Sequence, residues 1–164
     1  MLTINGVKMR KLNVKKGFSL IELLVVIAII GVLSAVGITA YTGYTASAKE
    51  QASRTQFAQM VSLVNAEAAK CSLGSGNYAW GDGCATAFSA AMASKVAAHM
   101  HEDLGMKNPY NNSELGTTSF ASSGTATDPT NEGQTHISGN ATHIEIRTKV
   151  NSSIVLSQLI AEAS

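Results

Sequence analysis

Charge is missing where a water-exposed helix would need it: from Leu23 to Ala48 there is no Asp, Glu, Lys or Arg. As α-helix at about 1.5 Å per residue such a run spans ~39 Å, more than the ~30 Å hydrocarbon core of a bilayer. Proline is scarce as well, with two in 164 residues and the first at Pro109, so no proline interrupts that run. Catalytic signatures are also lacking. There is no Gly-x-Ser-x-Gly elbow, no glycine-rich phosphate loop and no pair of catalytic carboxylates. His99, His101, His136 and His143 match no zinc spacing, and no thiol lies within ligand spacing of them. Asp128, Asn131 and Glu132 make an oxygen-rich loop without the spacing of a dedicated calcium loop. Neither an enzyme nor a cofactor nor a metal is expected.

What is present is concentrated at the N-terminus. Lys8, Arg10, Lys11, Lys15 and Lys16 give the first 17 residues a charge of +5 with no acid. Without them, seven cations and eleven acids remain, a net of −4, so nucleic-acid binding by charge alone is not expected. The positive-inside rule places the basic flank in the cytoplasm and the C-terminal part across the membrane. A secretory signal is the rival reading, but its apolar core should be ~7–15 residues and end in a small-residue cleavage site. Here the apolar run is far longer, and the best small-residue boundary, Gly17, precedes it. Met9 is an alternative start. One acid, Glu22, sits at the tip of the apolar run. Simple anchoring does not require it, and an ionised carboxylate inside hydrocarbon costs ~2.5–3.5 kcal/mol.

Lys15-Lys16-Gly17-Phe18-Ser19-Leu20-Ile21-Glu22, followed by Leu-Leu-Val-Val-Ile-Ala-Ile-Ile-Gly, resembles the processing site of type IV prepilins over residues 15 to about 50. The same motif is shared by the pseudopilins of type II secretion. The resemblance implies cleavage by a prepilin peptidase between Gly17 and Phe18, N-methylation of Phe18, and a role for Glu22 in filament assembly through the charged amino terminus of a neighbour. It implies an assembly platform and ATPase as partners, with copies of the chain itself. It also implies residence in the inner membrane before export to a surface pilus. Gly31, Ala35 and Gly37 are small residues that let apolar helices approach closely, and in a fibre any melting of this helix is expected between Gly31 and Gly37. Many relatives carry a proline near Gly37-Ile38-Thr39; this chain has Thr39 instead, so a continuous helix is expected through 30–40.

Beyond the apolar run, Phe57, Met60, Val61, Val64, Ala68 and Cys71 recur at helical spacing, extending one long helix from about Ser19 to Lys70. Cys71 and Cys84 lie close in sequence in the part assigned outside the cytoplasm, where a disulfide is expected. Residues 85–104 read as a second helix with Phe88, Met92, Val96, Met100 and Leu104 on one face and Gly105 as its stop. Thr117–Ala121 is a candidate strand, 122–133 a surface loop. Three strands are expected over Gln134–Ser138, Thr142–Val150 and Ser153–Ile160. In the middle one, Ile144, Ile146, Thr148 and Val150 alternate with a wet face of Glu145, Arg147 and Lys149. Asn111, Asn140 and Asn151 open weak glycosylation triplets.

The expected architecture is therefore α+β, a long N-terminal helix with a small antiparallel sheet, similar to the pilin layout. Its parts would be a leader over 1–17, a membrane or filament-core half of the helix over 18–48, and a globular head over 49–164 outside the cytoplasm. The function implied is a structural pilus subunit; a secretion pseudopilin and a non-polymerising membrane-anchored binding domain are the alternatives.

Overall fold

The computed structural model describes residues 17–74, 76–111 and 127–161. The candidate strand Thr117–Ala121 lies outside the described residues. Helix α1 runs from Leu20 to Ser72, 53 residues without a break. Its start is set by Ser19 and Glu22. At its end, the Leu73 N–H donates to the Ala69 carbonyl and the Gly74 N–H to the Cys71 carbonyl. Gly74 then turns the chain with φ +86°, a conformation that glycine alone adopts without steric cost.

The chain divides into two compact units, Met1–Thr42 and Gly43–Ser164. In the first unit the described residues are almost all α1, and the apolar side chains from Leu20 to Ile38 stand open, 48–83% exposed wherever they are large. The helix is continuous through residues 30–40. Thr39 Oγ1 donates to the Val36 carbonyl at 3.0 Å, and Thr42 Oγ1 to the Thr39 carbonyl at 2.9 Å. These two threonine hydroxyls thus find partners on their own helix.

In the second unit, the C-terminal part of α1 buries Met60, Val64 and Ala68, with Phe57, Val61 and Cys71 packed around them. Helix α2 spans Ala90–Ala98 and continues as a π-helical turn, His99–Asp103. It begins later than residue 85 because Ser89 caps it: the backbone there is extended, and Ser89 Oγ accepts from the Met92 N–H at 3.2 Å. Phe88, Met92, Val96 and Met100 are buried as expected, but Leu104 is 46% exposed. Leu104 follows the π turn as its C-cap, beyond the last helical residue.

Strands β1 (Thr135–Gly139), β2 (His143–Lys149) and β3 (Val155–Ala161) form an antiparallel sheet in that order. Ile137, Ile144, Ile146 and Ile160 join the helices in one core. Gly139 lets β1 approach the N-cap of α2, since a Cβ there would collide with the Ser89 carbonyl. The second face of β2 is not wet. Glu145 is only 3% exposed, because the segment after residue 126 is bonded to that face. Arg147 Nη1 meets Asp128 Oδ1 at 2.6 Å, Lys149 Nζ donates to the Thr130 carbonyl at 2.8 Å, and His136 Nδ1 lies 2.9 Å from the Thr127 carbonyl. A run of polar residues read as a surface loop therefore lies, in its described part, against the sheet.

Candidate processing and assembly site

Gly17, Phe18 and Ser19 precede the first helical residue, and all three are exposed. Phe18 is 89% exposed, and a Cβ at Gly17 would touch nothing. The Gly17–Phe18 peptide bond is thus held neither in a helix nor under a side chain.

Helix α1 is opened at Ser19, with Glu22 reaching back to it. The Ser19 carbonyl accepts the first helical bond, from the Leu23 N–H at 3.2 Å. The Ser19 N–H donates to Glu22 Oε2 at 2.8 Å. An N-terminal helix end exposes unpaired N–H groups and a partial positive charge, and a carboxylate in the third helical position answers both. This use of Glu22 is legible in the sequence, because Ser-x-x-Glu ahead of an apolar run is a capping signature. Glu22 therefore has a local role within one chain in addition to any role between chains.

Gly31 and Gly37 lie in open helix surface, with no atom within 4 Å of an added Cβ. They are helical, so each weakens α1 by about 1 kcal/mol relative to alanine. Nothing among the described residues requires a glycine at either position.

Cys71 and Cys84 are disulfide-bonded, with Cα atoms 5.3 Å apart. The loop they close is latched elsewhere too. Glu67 Oε2 accepts from the Ala79 N–H at 2.7 Å and pairs with Lys70 Nζ at 2.8 Å. At the loop's far side Asp82 Oδ1 meets Lys95 Nζ of α2 at 2.6 Å. Inside, Tyr78 and Trp80 stack with ring centroids 4.8 Å apart, and Tyr78 leans on Phe88 at 6.0 Å. The contacts of Glu67 and Asp82 span 12 and 13 residues, so no local spacing announces them.

The histidines are dispersed. His99 pairs with Asp103 at 2.5 Å, His101 with the Met106 carbonyl, His136 with the Thr127 carbonyl, and His143 with Asn140 and Thr142. Among the described residues no three His, Cys, Asp or Glu side chains form a metal-sized group. In the oxygen-rich loop, Asp128 is engaged by Arg147, and the Glu132 carbonyl accepts from Asn108.

Residues 12–38 match the family described as the prokaryotic N-terminal methylation motif. That motif is the leader signature of type IV pilins and pseudopilins. The long apolar helix and the small antiparallel sheet form an α+β architecture matching the pilin-like fold. No curated protein and no solved structure matches the chain.

Proposed function

We propose that this chain, carrying the leader signature of type IV pilins and pseudopilins, is the precursor of a type IV pilus subunit. The observation that carries the reading is the methylation motif at 12–38 continued without a break into a helix long and apolar enough to cross a membrane. A prepilin peptidase cuts after Gly17 and the new amino terminus, Phe18, is methylated. The apolar half of α1, within residues 18–48, holds the subunit in the inner membrane with the head, residues 49–164, on the far side. Platform and ATPase machinery then adds it to a surface filament.

Assembly exchanges lipid for neighbouring helices of similar polarity, so leaving the bilayer need not cost the full transfer energy, and close contact at Gly31 and Gly37 can offset the rest. Glu22 acts as a register check. In a dry filament core its carboxylate is stable only opposite a neighbour's amino terminus, and a missing partner leaves a buried, unpaired charge.

The test is mass spectrometry of the mature protein, read together with electron microscopy of cells with and without the chain. Expected are N-methylated Phe18 as the first residue, surface fibres lost on deletion, and uncut precursor when Gly17 is replaced by leucine. An intact leader in the mature protein would refute processing. Correct processing with no fibre would refute the pilus role in favour of a secretion pseudopilin or an anchored monomer.

A further inference from the structure

The apolar surface of α1 needs an upper limit, and composition draws it at Ala48, just before Lys49. The side chains draw it lower. Tyr41 and Tyr44 are 69% and 75% exposed. Being three residues apart, they stand on one side of the helix. Neither phenol hydroxyl has a hydrogen-bond partner among the described residues, whereas the neighbouring Thr39 and Thr42 hydroxyls are bonded to the Val36 and Thr39 carbonyls of their own helix. A phenol ring with an apolar body and an unpaired hydroxyl is stable where hydrocarbon meets headgroup, and tyrosine is enriched at that level.

The spacing agrees. From Leu20 to Ala40 the helix has 21 residues, about 32 Å at the standard rise, against a hydrocarbon core of ~30 Å. At the other end lie Lys15 and Lys16, suited to the cytoplasmic headgroups.

We infer that Tyr41 and Tyr44 bind the outer headgroup layer of the bilayer and set the depth at which the anchored chain sits. The surface is continuous with the membrane-crossing part of α1, and its occupant is the glycerol and carbonyl layer of phospholipid. Residues 45–48, though uncharged, then stand in water. The inference rests on the membrane-anchored stage of the proposed function but not on filament formation.

The experiment uses the full-length chain, leader included, in vesicles of phosphatidylethanolamine and phosphatidylglycerol. A nitroxide is placed at Val36→Cys or Ala46→Cys, the native cysteines being joined to each other, and its depth is read from relaxation by oxygen and by a water-soluble nickel complex. The label at 46 should read water or headgroup, and that at 36 hydrocarbon. Replacing Tyr41 and Tyr44 together by alanine should move both labels along the membrane normal by about 3 Å, two residues of helical rise. Replacing both by tryptophan should leave the depth unchanged.

A hydrocarbon reading at 46, or identical depths with tyrosine and with alanine, would overturn the inference while leaving the anchor in place. An aqueous reading at 36 would overturn the anchor as well. Normal depths in vesicles, together with cells that process the chain yet display no fibres, would refute the pilus role alone.

Discussion

Reducing or removing the Cys71–Cys84 bond should destabilise the protein through its unfolded state, and the structure allows that to be separated from a native-state effect. The two residues are 13 apart, and closing a loop of this size is worth about 3 kcal/mol by chain entropy. The loop has independent latches in the folded protein: Glu67 Oε2 on the Ala79 N–H, Asp82 on Lys95, and the Tyr78–Trp80 stack. If those hold the loop without the covalent link, Glu67→Ala should cost about the same with and without the disulfide, ~1.5–3 kcal/mol for a hydrogen bond to a charged acceptor. The cycle comprises wild type, Glu67→Ala, Cys71→Ser with Cys84→Ser, and all three together. It is read by denaturant unfolding of the full chain in detergent, followed by the near-ultraviolet signal of Trp80. Additive losses support the entropic account. A Glu67→Ala cost that vanishes once the cysteines are gone would refute it, because the loop would then have been held in place by the bond itself.

Three further outcomes are expected. Glu22→Ala should insert normally and lose filaments, with faster amide exchange over residues 19–23 from the lost contact to Ser19; normal filaments from a strain carrying only this variant would exclude the register role. Thr39→Pro removes the N–H that bonds to Ala35 and the Oγ1 bond to Val36, at ~3 kcal/mol for the proline alone; in detergent, exchange should quicken around 35–39, and unchanged protection there would show that the segment is already loose. Tyr110 has its pKa raised, first by burial and then by the carboxylates of Glu132 and Glu50. The folded state therefore retains the phenol proton longer, so this contribution is full below the unfolded-state value of 10.0 and is lost as pH rises through the higher folded-state value. Tyr110→Phe should cost ~1 kcal/mol at neutral pH through the lost bond to the Val150 carbonyl and should flatten the alkaline fall in stability; an identical fall in both proteins would assign it elsewhere.

The elements that follow a strict period are legible in the sequence alone. Helix α1 is readable because an unbroken apolar run passes, without a proline, into the helical spacing of Phe57, Met60, Val61, Val64 and Ala68, and β2 because Ile144, Ile146, Thr148 and Val150 alternate. Cys71 and Cys84 are legible from their spacing and compartment. The helix start at Ser19 and Glu22 is also a local pattern, but one masked by the larger electrostatic question that an acid at the tip of an apolar run raises. Other features depend on contacts across the sequence. Glu145 looks like a solvent-facing acid by alternation; it is buried because Arg147 bridges it to Asp128, 19 residues upstream of the arginine. Ser89 is one of two serines in the stretch read as the second helix, and only its extended backbone and its bond from the Met92 N–H single it out as the cap.

The π-helical turn at His99–Asp103 gives the second helix slack in its length. The Leu104 N–H donates to the His99 carbonyl, five residues back, so the turn carries one residue more than an α-helical turn; Met100 within it is fully buried and Leu104 beyond it is 46% exposed. A single deletion there, such as loss of Glu102, shortens the chain without forcing the core out of phase: the turn relaxes to α-helical spacing and Leu104 swings onto the face that Met92, Val96 and Met100 already occupy. The same deletion at Ser94 has no surplus to draw on and throws every later apolar residue out of phase. Thermal unfolding of the two deletion variants should separate them clearly, and equal losses would contradict this account. Length variation in this helix is thus expected to be tolerated at one turn and nowhere else along it.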